Sequence, residues 1–406
     1  MALMLMVILA ACSGAVTGEV WANITSDGRY VYVAYKEQVF RLDTNATPDS
    51  SNHLHFTWLT QAPNKPHFYA APALASGTSG SASDGSSTGG AVYVGAYDGK
   101  FYAFNRDQGG ALAGWNIPTP STSPDKIIGG ATVVGNTVYV GSATKGLRAF
   151  DITNGQQLAA YQGTQNGIWA APLIVGDTLY VTSLDHMLYA LNAQTLTYKW
   201  QVDLKGSAAD TPVYDNGMLY VGTFTGQVLG IDTTATDPAC TAHVPCIARK
   251  FDTINNAWVW SSPTLDNGVL YFGDLSGGVY ALDAKTFAQK WAATNKDNGA
   301  VRGRVAVISN VKPNNRPDAS TIMIVGTENK DVYAYDVRDG SLVWQSATAT
   351  SDKILSNMLI VKNDVVFTTV DENQLVVALN VVTGQIDWQV SLQQEMDRFK
   401  PTSQPS

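Results

Sequence analysis

One strand phrase returns eight times along the chain, a second strand follows each copy, and an aromatic residue, usually tryptophan, recurs after it. Together these predict an all-β fold: an eight-bladed β-propeller of four-stranded antiparallel blades. The phrase is apolar-Tyr-apolar-Gly. It reads YVYVAY at Tyr30, AVYVGAY at Ala91, TVYVGSA at Thr137, TLYVTSL at Thr178, MLYVGTF at Met218 and VLYFGDL at Val269. Weaker copies are IMIVGTE at Ile322 and DVVFTTV at Asp364. The second strand always ends in an acid or amide: VFRLD, FYAFN, LRAFD, LYALN, VLGID, VYALD, VYAYD and VVALN. Both strands alternate as strands do when one face packs inward.

A turn, often with Gly, leads to a further strand. It carries Trp58, Trp115, Trp200, Trp291, Trp344 or Trp388, with Tyr161 and Phe251 standing in twice. A short strand such as AAPLIV or SSPTLD precedes each unit. The unit is therefore four strands in about 40 residues, the arithmetic of a propeller blade. A lone four-stranded sheet exposes two apolar faces. Stacking blades around an axis buries both, and closing the ring removes most exposed edges. The tryptophans are expected to wedge between neighbouring blades near the rim, a structural role; stacking on a ligand is the alternative.

Composition agrees. The 406 residues are 45% hydrophobic and 15% charged, with 36 Gly, 18 Tyr and 10 Trp, which suits many short strands and turns. The net charge of −8 and the lack of a basic stripe exclude a general affinity for nucleic acid.

The chain opens with the apolar run MALMLMVILAAC. It is shorter than the roughly 20 residues of a membrane span and suits a signal-peptide core. Leu9-Ala10-Ala11-Cys12 resembles a bacterial lipoprotein cleavage box, in which the cysteine is lipidated and becomes the new N-terminus. No Lys or Arg precedes the run, which departs from that pattern. The alternative is a buried N-terminal strand around a structural cysteine. The expected organisation is a lipoprotein-type signal peptide over 1–11, a tether over 12–18, the propeller over 19–392 and a polar, frayed tail over 393–406. A multiply acylated Cys12 would hold the protein firmly on a membrane.

Cys240 and Cys246 sit together in DPACTAHVPC. Export favours a disulfide between them. Two free thiols in a surface loop are the alternative. A metal site is not expected, because only His243 stands near as a further ligand.

With strands A to D counted outward from the axis, the B–C turns are tight (AYDGK, FTGQ, LSGG). Longer insertions fall in the A–B loops 76–90 and 310–321 and in the C–D loops 44–55 and 233–248. These four would share one face, which offers a docking surface for a protein partner. The Gly/Ser loop 76–90 reads as disordered. Tolerated drift is the alternative, since surface insertions cost little. One D–A loop, from Pro118, is also long.

The inner strands bring homologous positions to the axis: Tyr69, Ile128, Trp169, Ala209, Trp260, Arg302 and Leu355, with Asp210, Arg304 and Asn357 close behind. Aromatics, two arginines and an aspartate around one mouth could hold a small acidic ligand. Arginine would match a carboxylate as a fork, and tryptophan would stack on a flat ring. Tunnel lining and inter-blade packing are the simpler account. No G-x-S-x-G, H-E-x-x-H or Walker sequence occurs.

VYALDAKTFAQKW from Val279 and VYAYDVRDGSLVW from Val332 resemble the PQQ-type propeller repeat. The resemblance runs from about Trp21 to Leu392. Two groups share this repeat: quinoprotein dehydrogenases, and cofactor-free scaffolds such as the BamB-like lipoproteins of outer-membrane protein assembly. The BamB-like group is the nearer. It implies an exported, lipid-anchored, non-catalytic scaffold, expected as a monomer with protein partners in the cell envelope and no cofactor. The alternative is a PQQ- and calcium-dependent oxidoreductase, or a small-ligand-binding propeller, using the axial mouth. The dehydrogenases share adjacent cysteines at the cofactor and a Glu/Asn/Asp calcium cluster; this chain has no Cys-Cys pair and supplies no such cluster from its A-strand positions.

Overall fold

The structure is a computed structural model and describes residues 23–62, 66–75, 90–112, 115, 125–144, 146–235, 237–240, 244–294, 299–346 and 350–399. Cys12, the signal segment, the tether, most of the Gly/Ser loop, Pro118 and His243 lie outside the described residues.

The repeated phrase forms the second strand of every blade, and eight antiparallel sheets follow one another around a ring, an eight-bladed β-propeller. Seven sheets have four strands in chain order; the second has three. There the outermost strand shrinks to a bridge between Phe104 and Ala111, so the expected fourth strand is only partly present. Among the described residues, no helix is long and apolar enough to cross a membrane.

The acid or amide ending strand C has a local purpose. Its side-chain oxygen accepts a backbone N–H two residues on, as in Asp43 to Asn45, Asp232 to Thr234 and Asn380 to Val382. This Asx geometry starts the C–D turn. A β-bulge then separates strands C and D in seven blades. Just before the bulge a small residue faces the tryptophan, as Ala190 faces Trp200 and Ala281 faces Trp291. The pattern LYAL…W is the sequence trace of that pairing.

The glycine ending strand B explains how blades meet. A Cβ on Gly95 would lie 2.2 Å from Ile127, on Gly141 2.3 Å from Ile168, on Gly222 2.6 Å from Val259 and on Gly273 2.4 Å from Val301. Each partner is a buried aliphatic residue on the segment entering the next blade. The same segment donates a backbone N–H to the preceding blade, as Ile168 to Ser142 at 2.8 Å and Val259 to Thr223 at 3.0 Å. The glycine is there because the neighbouring blade occupies the space a side chain would need. The fourth blade carries Thr182 at that position, and the next entering segment carries the smaller Ala208.

At the rim, three tryptophans fasten one blade to the next. The indole N–H of Trp58 donates to the Arg106 carbonyl at 3.1 Å, Trp291 to Val337 at 2.8 Å and Trp344 to Val381 at 2.9 Å. Each ring covers a glycine of the next C–D turn: Gly109, Gly340 and Gly384, all with positive φ. Trp115 and Trp388 instead bond within their own blades, to Phe101 and Asp364. Trp200 packs obliquely against Tyr180 at 5.6 Å. Trp200 and Trp388 precede blades whose C–D turns are replaced by the long loops 233–246 and 44–55, so the glycine seat is missing.

The ring closes without exchanging strands between the first and last blades. Residues 52–54 pair in parallel with Gln389 of the last strand through two backbone bonds of 2.9 Å. Lys362 of the last blade reaches the Thr44 carbonyl at 2.9 Å. Loop 44–55 therefore serves closure, where the sequence suggested a projection from one face. The expected polar, frayed tail over 393–406 is corrected for 393–399, while 400–406 lie outside the described residues. Leu392–Phe399 is a helix with Leu392 and Glu395 buried. The Glu395 carboxylate accepts the Phe56 N–H at 2.8 Å and contacts His55 Nδ1 at 2.7 Å, and Phe399 stacks on Phe56. The end of the last blade thus grips the outer strand of the first.

Two predictions follow from this packing. Gly222→Thr should lose about 1–3 kcal/mol in denaturant unfolding, the usual cost of overpacking. Adding Val259→Ala should recover the part due to the Val259 side chain, but not the part due to the Ser261 carbonyl, which lies 2.7 Å from the same Cβ, and a double-mutant cycle reads the coupling. The second prediction concerns Asp364, which accepts the Trp388 indole N–H at 3.1 Å. Burial first, then the neighbouring Asp387 carboxylate, push it up to about 7. A folded value above the unfolded one of about 3.9 means the folded state holds the extra proton. Its contribution is fully present below pH of about 4 and is lost as pH rises through about 7. Chemical denaturation across that window should show the decline, and Asp364→Asn should flatten it.

Candidate functional site

The seven register positions converge. Tyr69, Ile128, Trp169, Ala209, Trp260, Arg302 and Leu355 line one cavity of about 120 Å³ on the axis. Asp210 and Asn357 line it too. Arg304 stands behind them, with Nη2 on Asp210 at 3.0 Å. Each of the seven lies on the segment entering strand A, one residue past the apolar residue that packs on the preceding blade, aliphatic in six cases and Phe68 before Tyr69. The contact that joins blades therefore also sets the wall.

These segments bond to the B–C turns, as Leu184 N–H to Gly167 and Phe224 N–H to Ser207. The cavity thus belongs to the face of the tight turns. The described insertions, 44–55, 310–321 and the described part of the Cys loop, lie on the other face, so axial mouth and decorated face are opposite ends of the molecule.

The charges of the wall are already committed. Arg302 donates from Nε and Nη2 to a single oxygen of Glu328, at 2.9 and 2.7 Å. Its guanidinium also lies 4.5 Å from the Trp260 ring centre. The Trp260 ring stacks on Phe224 at 4.8 Å, and Phe224 stacks on Trp258 at 5.1 Å. Asp210 accepts from Arg304, from the Ser262 N–H at 2.9 Å and from the Thr211 N–H at 2.8 Å. Arg304 gives its backbone N–H to Asn357 Oδ1 at 2.7 Å. The expectation of a free arginine fork beside an open tryptophan face is corrected. Both arginines have carboxylate partners, and Trp260 is covered by Phe224 and Arg302.

What remains uncommitted on the lining is a set of neutral donors, while behind it Arg304 Nε and the Ser262 hydroxyl are also buried without a partner. Trp169 Nε1 and the Ser261 hydroxyl are buried without a hydrogen-bond partner. Sequence reasoning missed Ser261, though it follows Trp260 directly in the axial register. It also missed Glu328, which comes from a B–C turn and has no positional signal.

The site does not suit PQQ. Its volume is well under the roughly 300–1,000 Å³ typical of cofactor pockets. Its guanidinium groups are spent on Glu328 and Asp210. Among the described residues, no group of three or more His, Cys, Asp or Glu is placed to hold a metal ion.

Cys240 and Cys246 lie with Cα atoms 5.7 Å apart, the usual disulfide spacing. Their loop is also pinned by Arg249 to Asp237 at 2.6 Å. On loop 310–321, Arg316 pairs with Asp318 at 3.3 Å, and Arg338 reaches Asp318 at 2.7 Å. Hydrogen bonds from Arg338 and then Arg316 hold Asp318 down to about 2.

Fold, repeat and axial funnel define the class: an eight-bladed propeller of PQQ-type repeats. Comparison with known proteins narrows it. A family described as outer membrane protein assembly factor BamB matches residues 13–171, 162–237 and 251–391, and the chain belongs to that family. It is 25% identical over 272 residues to outer membrane protein assembly factor BamB of Moranella endobia (strain PCIT). That match covers 63% of this chain and 65% of the relative. It is 26% identical over 186 residues to serine/threonine-protein kinase AfsK of Streptomyces griseus, covering 43% of this chain but 22% of the kinase. The crystal structure of BamB from Moraxella catarrhalis superposes with a TM-score of 0.62 at 17% identity, over 90% of this chain and 97% of that one. The structural likeness establishes the fold.

The site predicts a negative result. Titration with PQQ and Ca²⁺ should give no saturable absorbance change and no dye-linked alcohol oxidation.

Proposed function

We propose that this protein is an exported, lipid-anchored, non-catalytic scaffold that docks a protein partner in the cell envelope, as its family's name suggests. The observation that carries the reading is the membership in a family of outer membrane protein assembly factors, together with an axial site whose charged groups neutralise one another. Arginines locked to carboxylates stabilise structure and offer little to a reacting group. Cys12 is the proposed lipidation site, within the box Leu9-Ala10-Ala11-Cys12. A Cys240–Cys246 disulfide accords with export.

The docking surface is proposed on the face of the long insertions. Loop 44–55 is committed to ring closure and loop 76–90 lies almost wholly outside the described residues, which leaves loop 310–321 and the Cys loop. Both are held in shape by ion pairs, and a preorganised loop loses less entropy on binding than a free one.

One experiment tests anchor and partner together. Crosslinking and pull-down of the full chain from native membranes should recover envelope proteins of outer-membrane assembly, and Cys12→Ala should move the chain to the soluble fraction. Recovery of cytoplasmic proteins alone, or unchanged fractionation of the variant, would overturn the corresponding half of the proposal.

A further inference from the structure

The axial cavity holds more hydrogen-bond donors than acceptors. Trp169 Nε1 and Ser261 Oγ are buried without partners, and Ser261 is 3% exposed. An unsatisfied buried donor costs about 1–3 kcal/mol, so two on one wall call for an explanation. Arg302, a lining residue, spends Nε and Nη2 on Glu328, which leaves Nη1 unspent. Asn357 accepts a backbone N–H through Oδ1, which leaves its amide hydrogens unspent. The only carboxylate on the wall, Asp210, already accepts three hydrogen bonds, from Arg304 and two backbone N–H groups. The wall therefore offers more hydrogens than it can accept, although Asn23, which gives its amide N–H to the Tyr69 carbonyl at 3.2 Å, keeps its side-chain oxygen as an acceptor. Its apolar surface comes from Ile128, Ala209 and Leu355.

We propose that this cavity binds a small carboxylate, held by the Trp169 indole N–H, the Ser261 hydroxyl and the free nitrogen of Arg302, with its short carbon chain against Ile128 and Leu355. A volume of about 120 Å³ sets the size. A cavity of roughly 150 Å³ holds benzene, with its six heavy atoms, so the space suits roughly four to six heavy atoms, the range from acetate to lactate. Arg302 and Arg304 remain paired with Glu328 and Asp210 on binding, so the ligand meets donors without displacing an ion pair. The site is independent of what docks on the exterior, because it lies on the axis and on the face opposite the long insertions.

The test is a titration of the ¹⁵N-labelled protein with sodium propionate, against sodium chloride at matched ionic strength. The readout is the Trp169 indole N–H resonance, assigned through Trp169→Phe. A saturable downfield shift with propionate alone is expected. Ser261→Ala should weaken binding about tenfold, the worth of one good hydrogen bond to a charged group. Ala209→Leu, which narrows the cavity from another blade, should abolish the shift and serves if the serine variant does not fold. No shift, an equal shift with chloride, or full affinity in a folded Ser261→Ala or Ala209→Leu protein would overturn the proposal.

Discussion

A buried aliphatic side chain of one blade lies in the space left by the glycine that ends strand B of the blade before. This contact recurs at Gly95, Gly141, Gly222 and Gly273, and the rest of the molecule depends on it. A four-stranded sheet alone leaves both faces wet, so each blade gains most of its core from its neighbours. The apolar clusters show this directly. One joins Tyr139 and Leu147 to Leu179 and Leu191, and another joins Ile322 and Ile324 to Val365 and Phe367. Close approach requires the glycine; a backbone N–H from the same segment fixes its height. The next residue of that segment is then carried to the axis, so packing and cavity wall share one cause.

A ring stabilised by neighbours is weakest where its ends meet. The closing blades share an apolar cluster that includes Ile24, Val33, Val366 and Trp388. The polar fastening is specific to this junction: loop residues 52–54 on the last strand, Lys362 on Thr44, and the buried Glu395 on Phe56. A carboxyl group that is 3% exposed needs hydrogen-bond partners, and the Phe56 N–H with His55 supplies them. Closure here rests on a loop and a helix, while the other junctions use glycine contacts, tryptophan caps or both, except the one after the fourth blade, where Thr182 and Ala208 stand in for the glycine contact.

The axial site follows a different rule from the rim. Rim positions repeat because each blade needs the same fastening. Axial positions differ from blade to blade, because a wall needs only to be filled. Charge enters it as internal pairs, which costs little when each guanidinium keeps a carboxylate. Uncommitted neutral donors then stand out, since nothing in the packing requires a buried indole N–H or hydroxyl without a partner.

The repeat was legible because it is local. Strand alternation, the Asx residue ending strand C, the small residue before the bulge and the tryptophan after it all fall within one blade and recur at fixed spacing. The convergence of Tyr69, Trp169, Trp260 and Arg302 could also be read, since a ring brings equal positions to one axis. What the sequence by itself determined is thus the blade, the ring and the register of its inner wall, together with family membership. The tertiary structure alone decided which partners those residues take. Arg302 meets Glu328 across 26 residues and Arg304 meets Asp210 across 94. Phe224 covers Trp260, loop 44–55 seals the ring, and the segment after Leu392 folds as a helix on Phe56. Those contacts join elements from different blades, and no spacing within a repeat encodes a distance around a closed circle.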